Sequence, residues 1–260
     1  MIKETPVIFS KSVKGKVGCT LPSLDVPSCK LGAYLPKNLL RNKKAVLPEI
    51  SEPEVMRHFV NLSSKNHHID KDIFPLGSCT MKYNPKINET IASKEQFSGI
   101  HPNQSDEYSQ PALRVIYELE EMLKKITGMS AFTLQPSAGS QGEFVGLLLM
   151  QKYHEIKGNK KNIILIPESA HGTNPASVIL AGYRPVELLT DDRGRVDMKD
   201  LKSKIDDNVA GMMLTQPNTL GLFEDKISEI SALIHKVDGL MYMDGANLNA
   251  LIGLVRPMDM

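Results

Sequence analysis

Two periodicities divide the chain. Ala112, Ile116, Leu119, Leu123 and Ile126 recur at alternating steps of four and three, which predicts a helix over 111–127. Pro111 is expected to open it and Gly128 to end it. A second apolar helical run covers 144–157 and closes on Gly158 and Asn159. Short β-branched or apolar runs then alternate with helical ones. Strands are predicted at 162–166 (NIILI), 185–190 (PVELLT), 209–215 (VAGMMLT) and 240–243 (LMYM). Helices are predicted near 175–182, 197–205 and 225–237, the last with Ile227, Ile230, Ile234 and Val237 on one face. Upstream, Pro53 heads a short helix over 53–65, and Pro6, Pro22, Pro27, Pro36 and Pro48 break residues 1–50 into an irregular arm.

Strands separated by helices imply a parallel sheet of the α/β class, with every strand ending at one edge. Ligands of open α/β sheets bind beyond those ends. Three polar loops follow predicted strand ends: SAHGTNPAS, TQPNT and DGANLN. They bring His171, Thr173, Asn174, Thr215, Asn218, Asp244 and Asn247 towards one crevice. The stretch LQPSAGSQGE at 134–143 is rich in small residues and runs directly into the 144–157 helix. A small-residue turn opening a helix aims unpaired N–H groups at one point, which suits a phosphate, although such turns are also ordinary caps. Each loop residue has a plain alternative as a turn former or loop side chain. Taken together they suit pyridoxal phosphate: a helix N-terminus for the phosphate, a planar imidazole to stack, and a carboxylate for the ring nitrogen. A mononucleotide site is the rival reading, but neither the dinucleotide fingerprint nor the G-x-x-x-x-G-K-[ST] loop is present.

Composition adds exclusions. The chain has 260 residues, with 41% hydrophobic and 23% charged positions, ordinary values for a soluble protein. A net charge of +1 and the absence of Trp and of basic runs argue against nucleic acid as partner. No apolar stretch is long enough to span a bilayer, and the N-terminus lacks a secretory apolar core, so a cytoplasmic location is expected. Cys19, Cys29 and Cys79 are sparse and match no zinc spacing, so no metal is expected. Two further loops, 74–88 and 99–107, offer Ser78, Cys79, Thr80, Lys82 and His101; a surface loop is the plain reading of each.

The segments PLGSCTMKYNPKIN, LQPSAGSQGE, IPESAHGTNPAS, MLTQPNTLGLFE and MDGANLNA, in this order, resemble those of the glycine cleavage system P-protein family, most closely subunit 2 of its two-subunit bacterial form. The resemblance implies a fold-type-I pyridoxal-phosphate-dependent transferase: an N-terminal arm and short helix over 1–60, then a large domain over 61–260. It implies a decarboxylating glycine dehydrogenase that passes the aminomethyl group of glycine to the lipoyl arm of the H-protein. Its expected partner is subunit 1, in a heterotetramer of two copies of each. Carried onto this chain, Ser137, Ala138, Gly139 and Gln141 would hold the phosphate. His171 would stack on the ring and Asp244 would pair with its nitrogen. Thr173, Thr215 and Asn218 would line the pocket, and His101, Ser78, Thr80 and Lys82 would face substrate or the lipoyl group.

The chain departs from the family at Ser140 (usually Ala), Gln216 (commonly Asn) and Met258 (usually Gly). No lysine follows Lys236. The family's Schiff-base lysine lies farther on, so this stretch by itself is expected to be inactive, with a large domain incomplete at its C-terminal end and poorly soluble. Alternatives are another fold-type-I enzyme, an aminotransferase or lyase, and a non-catalytic binding partner within the same complex.

Overall fold

The computed structural model describes residues 4–73 and 81–260. Ser78, Cys79 and Thr80 therefore lie outside the described residues. Two compact units divide at Ile73.

In the first unit, helix α1 (Glu52–Ser63) starts on Ser51 and carries Pro53 in its first turn. The Glu54 carboxylate turns back to accept from Ser51 N–H at 3.1 Å and Ser51 Oγ at 2.7 Å. It also accepts from Lys16 Nζ at 2.7 Å, which ties the arm to the helix. The arm is otherwise irregular apart from single 3-10 turns at Ile8–Lys11, Leu31–Ala33 and Lys37–Leu39.

In the second unit, α2 (Lys86–Ala92) and α3 (Glu95–Ser98) precede α4 (Asp106–Thr127). Pro111 does not open α4. The helix begins five residues earlier, after Ser105, with Asp106 and Glu107 in its first turn, where the helix dipole favours negative charge. Helix α5 (Gly139–Lys157) also starts earlier than its apolar run: the small residues from Gly139 to Gly142 are its first turn. Gly128 and Gly158 end these helices at φ +76° and +71°, as their positions predict.

Strands β1 (Ile163–Pro167), β2 (Arg184–Leu188), β3 (Val209–Thr215) and β4 (Leu240–Asp244) form one parallel sheet in the order β2-β1-β3-β4. The predicted strand at 185–190 ends at Leu188, because the following residues enter a turn bridged between Thr190 and Val196. Helices α6 (Thr173–Leu180), α7 (Met198–Lys204) and α8 (Ile227–Lys236) are the crossovers. Lys226 caps the start of α8 and Lys236 ends it.

Alternation along the strands splits the core. Ile163, Leu165, Met212 and Leu214 pack with Leu201 of α7 and Ile227, Ile230 and Ile234 of α8. Ile164, Ile166, Ala210 and Met213 pack with Leu147 and Met150 of α5 and Val178 of α6. The sheet is thus covered on both faces, which is why β1 and β3 are buried along their whole length and almost entirely apolar. From β1 the chain crosses to β2 on one side and then returns to β3 on the other, so strand order reverses between β1 and β3. That reversal opens a crevice at the carboxyl ends.

Candidate functional site

The loops after β1, β3 and β4 meet at that crevice through hydrogen bonds. Thr219 Oγ1 donates to Ser169 O at 2.7 Å, joining the β3 and β1 loops. Gln216 N–H donates to Asp244 O at 3.1 Å, and Asn247 Nδ2 to Pro217 O at 3.0 Å, joining the β3 and β4 loops.

Asp244 is the last residue of β4 and is half-buried. Its carboxylate accepts from Ala246 N–H at 3.1 Å and from Thr215 Oγ1 at 3.3 Å. Two neutral donors fix its orientation and leave lone pairs for another partner. Lys82 Nζ donates to Ala246 O at 2.8 Å, so the exposed lysine from the 81–84 segment reaches the loop that carries Asp244.

His171 is half-buried just before α6. Its Nδ1 lies 2.6 Å from Thr173 Oγ1 and 3.1 Å from Thr173 N. Thr173 Oγ1 donates to Glu143 Oε1 at 2.6 Å, and Ser177 Oγ to Glu143 Oε2 at 2.6 Å. Glu143 belongs to the first turns of α5, so this carboxylate fastens α6, and with it the His171 loop, to the start of α5.

At that start Ala138 is the N-cap, in extended conformation. Gln141 Oε1 reaches back to accept from Ser137 N–H at 2.7 Å and from the Ser137 hydroxyl, which fixes the turn preceding the helix. The N–H groups of Gly139 and Ser140 have no acceptor among the described residues. A side-chain carbon added at Gly139 or Gly172 would meet nothing within 4 Å, so both border open space.

Tyr242 connects the two halves. It rises from β4 against α5 so closely that a Cβ at Gly146 would lie 2.6 Å from two of its ring carbons, and one at Gly142 would lie 3.8 Å from its hydroxyl. Its phenol is pushed up to about 12, first by burial and then by the charges of Asp244 and Glu143. One ring thus senses the strand-end carboxylate and the helix carboxylate together.

Two predicted residues stand apart. The Asn218 amide donates to Gly194 O, in the turn between β2 and α7, at 2.9 Å and accepts from Leu220 and Leu222 N–H of its own loop at 3.0 Å each. His101 is exposed, and its Nδ1 accepts from Asn103 N–H at 3.1 Å. Glu143 and Tyr242 carry no comparable signal in the sequence, whereas Asn174 is one of the predicted crevice residues. Asn174 is fully buried, with both amide atoms unpartnered. Neither of two nearby pockets is lined by Asp244 or Gly139. One of about 280 Å³ borders His171 on its β2 side, and an apolar one of about 330 Å³ lies beside β4 and α8. The crevice itself is open.

This set of groups fits pyridoxal phosphate. Free N–H groups face open space at a helix start, an imidazole is tied to that helix through Thr173 and Glu143, and a carboxylate with spare acceptors ends β4.

Comparison with known proteins gives a consistent result. A profile of the glycine cleavage system P-protein family matches residues 27–260. A probable glycine dehydrogenase (decarboxylating) subunit 2 of Chloroherpeton thalassium is 55% identical over 255 residues, covering 98% of this chain and 52% of the relative. One of the same description from Pyrococcus horikoshii is 50% identical over 258 residues, covering 99% of this chain and 51% of the relative. The chain spans about half the length of the curated relatives it matches. Among solved structures, a glycine decarboxylase (P-protein) in inhibitor-bound form superposes with a TM-score of 0.63 at 19% identity, over 82% of this chain and 47% of that one. A Burkholderia pseudomallei sphingosine-1-phosphate lyase superposes at 0.54 and 16% identity, over 80% and 49%. At these identities the superpositions speak for the fold, that of the fold-type-I pyridoxal-phosphate enzymes.

Proposed function

The chain belongs to the glycine cleavage system P-protein family, and from that premise we propose that it carries the cofactor half of a glycine-decarboxylating site. The complete protein would release the carboxyl group of glycine as CO2 and pass the aminomethyl remainder to the lipoyl group of the H-protein. It would act with subunit 1 in a heterotetramer of two copies of each, in the cytoplasm. When bound, pyridoxal phosphate supplies the electron sink for the pair left by the departing carboxylate.

The chain's own residues divide that work. Ser137, Ala138, Gly139 and Gln141 hold the phosphate, with the free N–H groups at the α5 start as donors. His171 stacks on the ring, and Thr173 and Thr215 line the pocket. Asp244 holds a proton at the ring nitrogen, and Thr215 and Ala246 keep its carboxylate aimed. Asn218 shapes the loop that follows Thr215. Lys82 and His101, with Ser78 and Thr80, serve the substrate or lipoyl side. The observation that carries this reading is the placement of Asp244 at the end of β4, coupled through Tyr242 to the start of α5.

The test is exchange of the glycine carboxyl carbon with labelled bicarbonate, catalysed by the complete protein with the H-protein present. Exchange is expected to fall by a factor on the order of a hundred or more in Asp244→Ala. Transamination of glycine without carboxyl exchange would assign the site to an aminotransferase instead.

A further inference from the structure

Glu143 is only 5% exposed, yet its described partners are two neutral hydroxyls. A carboxylate kept in such a place needs a reason, because removing it from water is costly. Its geometry supplies one. Thr173 Oγ1 sits 2.6 Å from Glu143 Oε1 and 2.6 Å from His171 Nδ1. A hydroxyl has a single proton. An ionised carboxylate claims it, since charge-assisted hydrogen bonds are roughly twice as strong as neutral ones. Thr173 then presents an oxygen lone pair to Nδ1. Two lone pairs at that separation repel, whereas an N–H donating to the oxygen is attractive.

We infer that Glu143 is a positioning residue for His171: through the Thr173 hydroxyl it holds the imidazole in one orientation with its proton on Nδ1. The chain of donors runs from His171 Nδ1–H to Thr173 Oγ1 and from Thr173 Oγ1–H to Glu143. Thr173 N–H, 3.1 Å from the same ring nitrogen, favours the opposite tautomer. That contact is neutral and longer, so the carboxylate-backed one prevails. Ser177 holds the other carboxylate oxygen, so Glu143 cannot turn away. Nε2 is left as the lone-pair nitrogen, and the ring face is locked. The consequence for cofactor binding rests on the proposed stacking role of His171; the tautomer does not.

Nitrogen NMR of the chain with labelled histidine tests both. At a pH about two units above the ordinary imidazole value, a neutral His171 shows which nitrogen bears the proton. The resonance is assigned by its loss in His171→Gln. The expected result is Nδ1–H in the wild type. Glu143→Gln removes the charge, and Thr173→Val removes the hydroxyl while leaving the backbone donor. Each is expected to shift the tautomer ratio towards Nε2–H by roughly tenfold or more. Nε2–H already dominant in the wild type, or a ratio unmoved in both variants, overturns the inference. Pyridoxamine phosphate affinity, measured on the same samples, keeps the two ideas separate. If the tautomer shifts as expected but affinity is unchanged, the relay stands and the stacking role of His171 falls. If the ligand binds while the ratio is unmoved, the relay falls alone.

Discussion

Tyr242 lies between Asp244 and Glu143, and its raised pKa couples the site to alkaline stability. The folded value of about 12 lies above the ordinary tyrosine value of about 10. The neutral phenol is therefore favoured by folding. Its contribution is fully present below about pH 10 and is lost as pH rises towards 12. Thermal unfolding followed across that window should show the wild type losing stability more steeply than Tyr242→Phe; parallel curves would contradict it. Gly146 gives a second residue-scale test. Its substitution by Ala forces a carbon to 2.6 Å from the Tyr242 ring, and should cost about 1–3 kcal/mol in urea unfolding. Gly139→Ala adds the same carbon into open space and should change stability far less. At this scale the placement of His171 and Asp244 at the carboxyl edge of the sheet was legible, because each lies at or just after the end of a predicted strand. Glu143 was not. In sequence it is one more acid early in a helix, and its partners lie 30 and 34 residues away.

Among elements, strands were easier to read than helix starts. The four apolar runs predicted as strands were recovered, because covering a parallel sheet on both faces leaves little room for polar residues. The start of α4 was misplaced because proline is commonest in a first turn, while Ser105, Asp106 and Glu107 carried the true start signal. The small residues of LQPSAGSQGE read as a turn, yet from Gly139 they are helix, so the candidate phosphate donors belong to the helix itself. A different junction holds the opposite end of α5. Asp238, at φ +56°, accepts from Tyr153 Oη at 2.8 Å, Lys157 Nζ at 2.7 Å and Asn159 Nδ2 at 2.7 Å. The Lys157 hydrogen bond, followed by that from Tyr153, holds its carboxyl well below the usual range. A depressed carboxyl stabilises the fold above its unfolded value of about 4 and loses that contribution as pH falls below it. Asp238→Asn keeps a residue that tolerates positive φ and removes the charge. Its melting temperature should lie below wild type at neutral pH, and the gap should close on acidification. A gap independent of pH would mean the charge is not what matters.

At the scale of the chain, a sheet covered on both faces coexists with many exposed apolar side chains. On α4, Val115, Ile116, Leu119 and Met122 are 57%, 47%, 44% and 56% exposed, although their spacing is that of a packed helix face. Apolar residues so arranged ordinarily mark a surface that another protein covers. Light scattering should therefore show concentration-dependent self-association of the chain alone, reversed by adding the proposed partner, subunit 1. A monomer across the accessible concentration range would contradict it. No helix among the described residues is long and apolar enough to cross a membrane.

At the same scale, the reversal of strand order between β1 and β3 gathers the start of α5, His171 and Asp244 at one edge. The measurement that tests this most directly is fluorescence titration of the chain with pyridoxamine 5'-phosphate. This ligand has the phosphate and ring of the cofactor but no aldehyde, so it cannot bond to surface lysines. Saturable binding of one ligand per chain is expected, weakened by roughly tenfold or more in Asp244→Ala and in His171→Ala. Absent or non-saturable binding, or equal affinity in wild type and both variants, would show that these residues do not form the cofactor site.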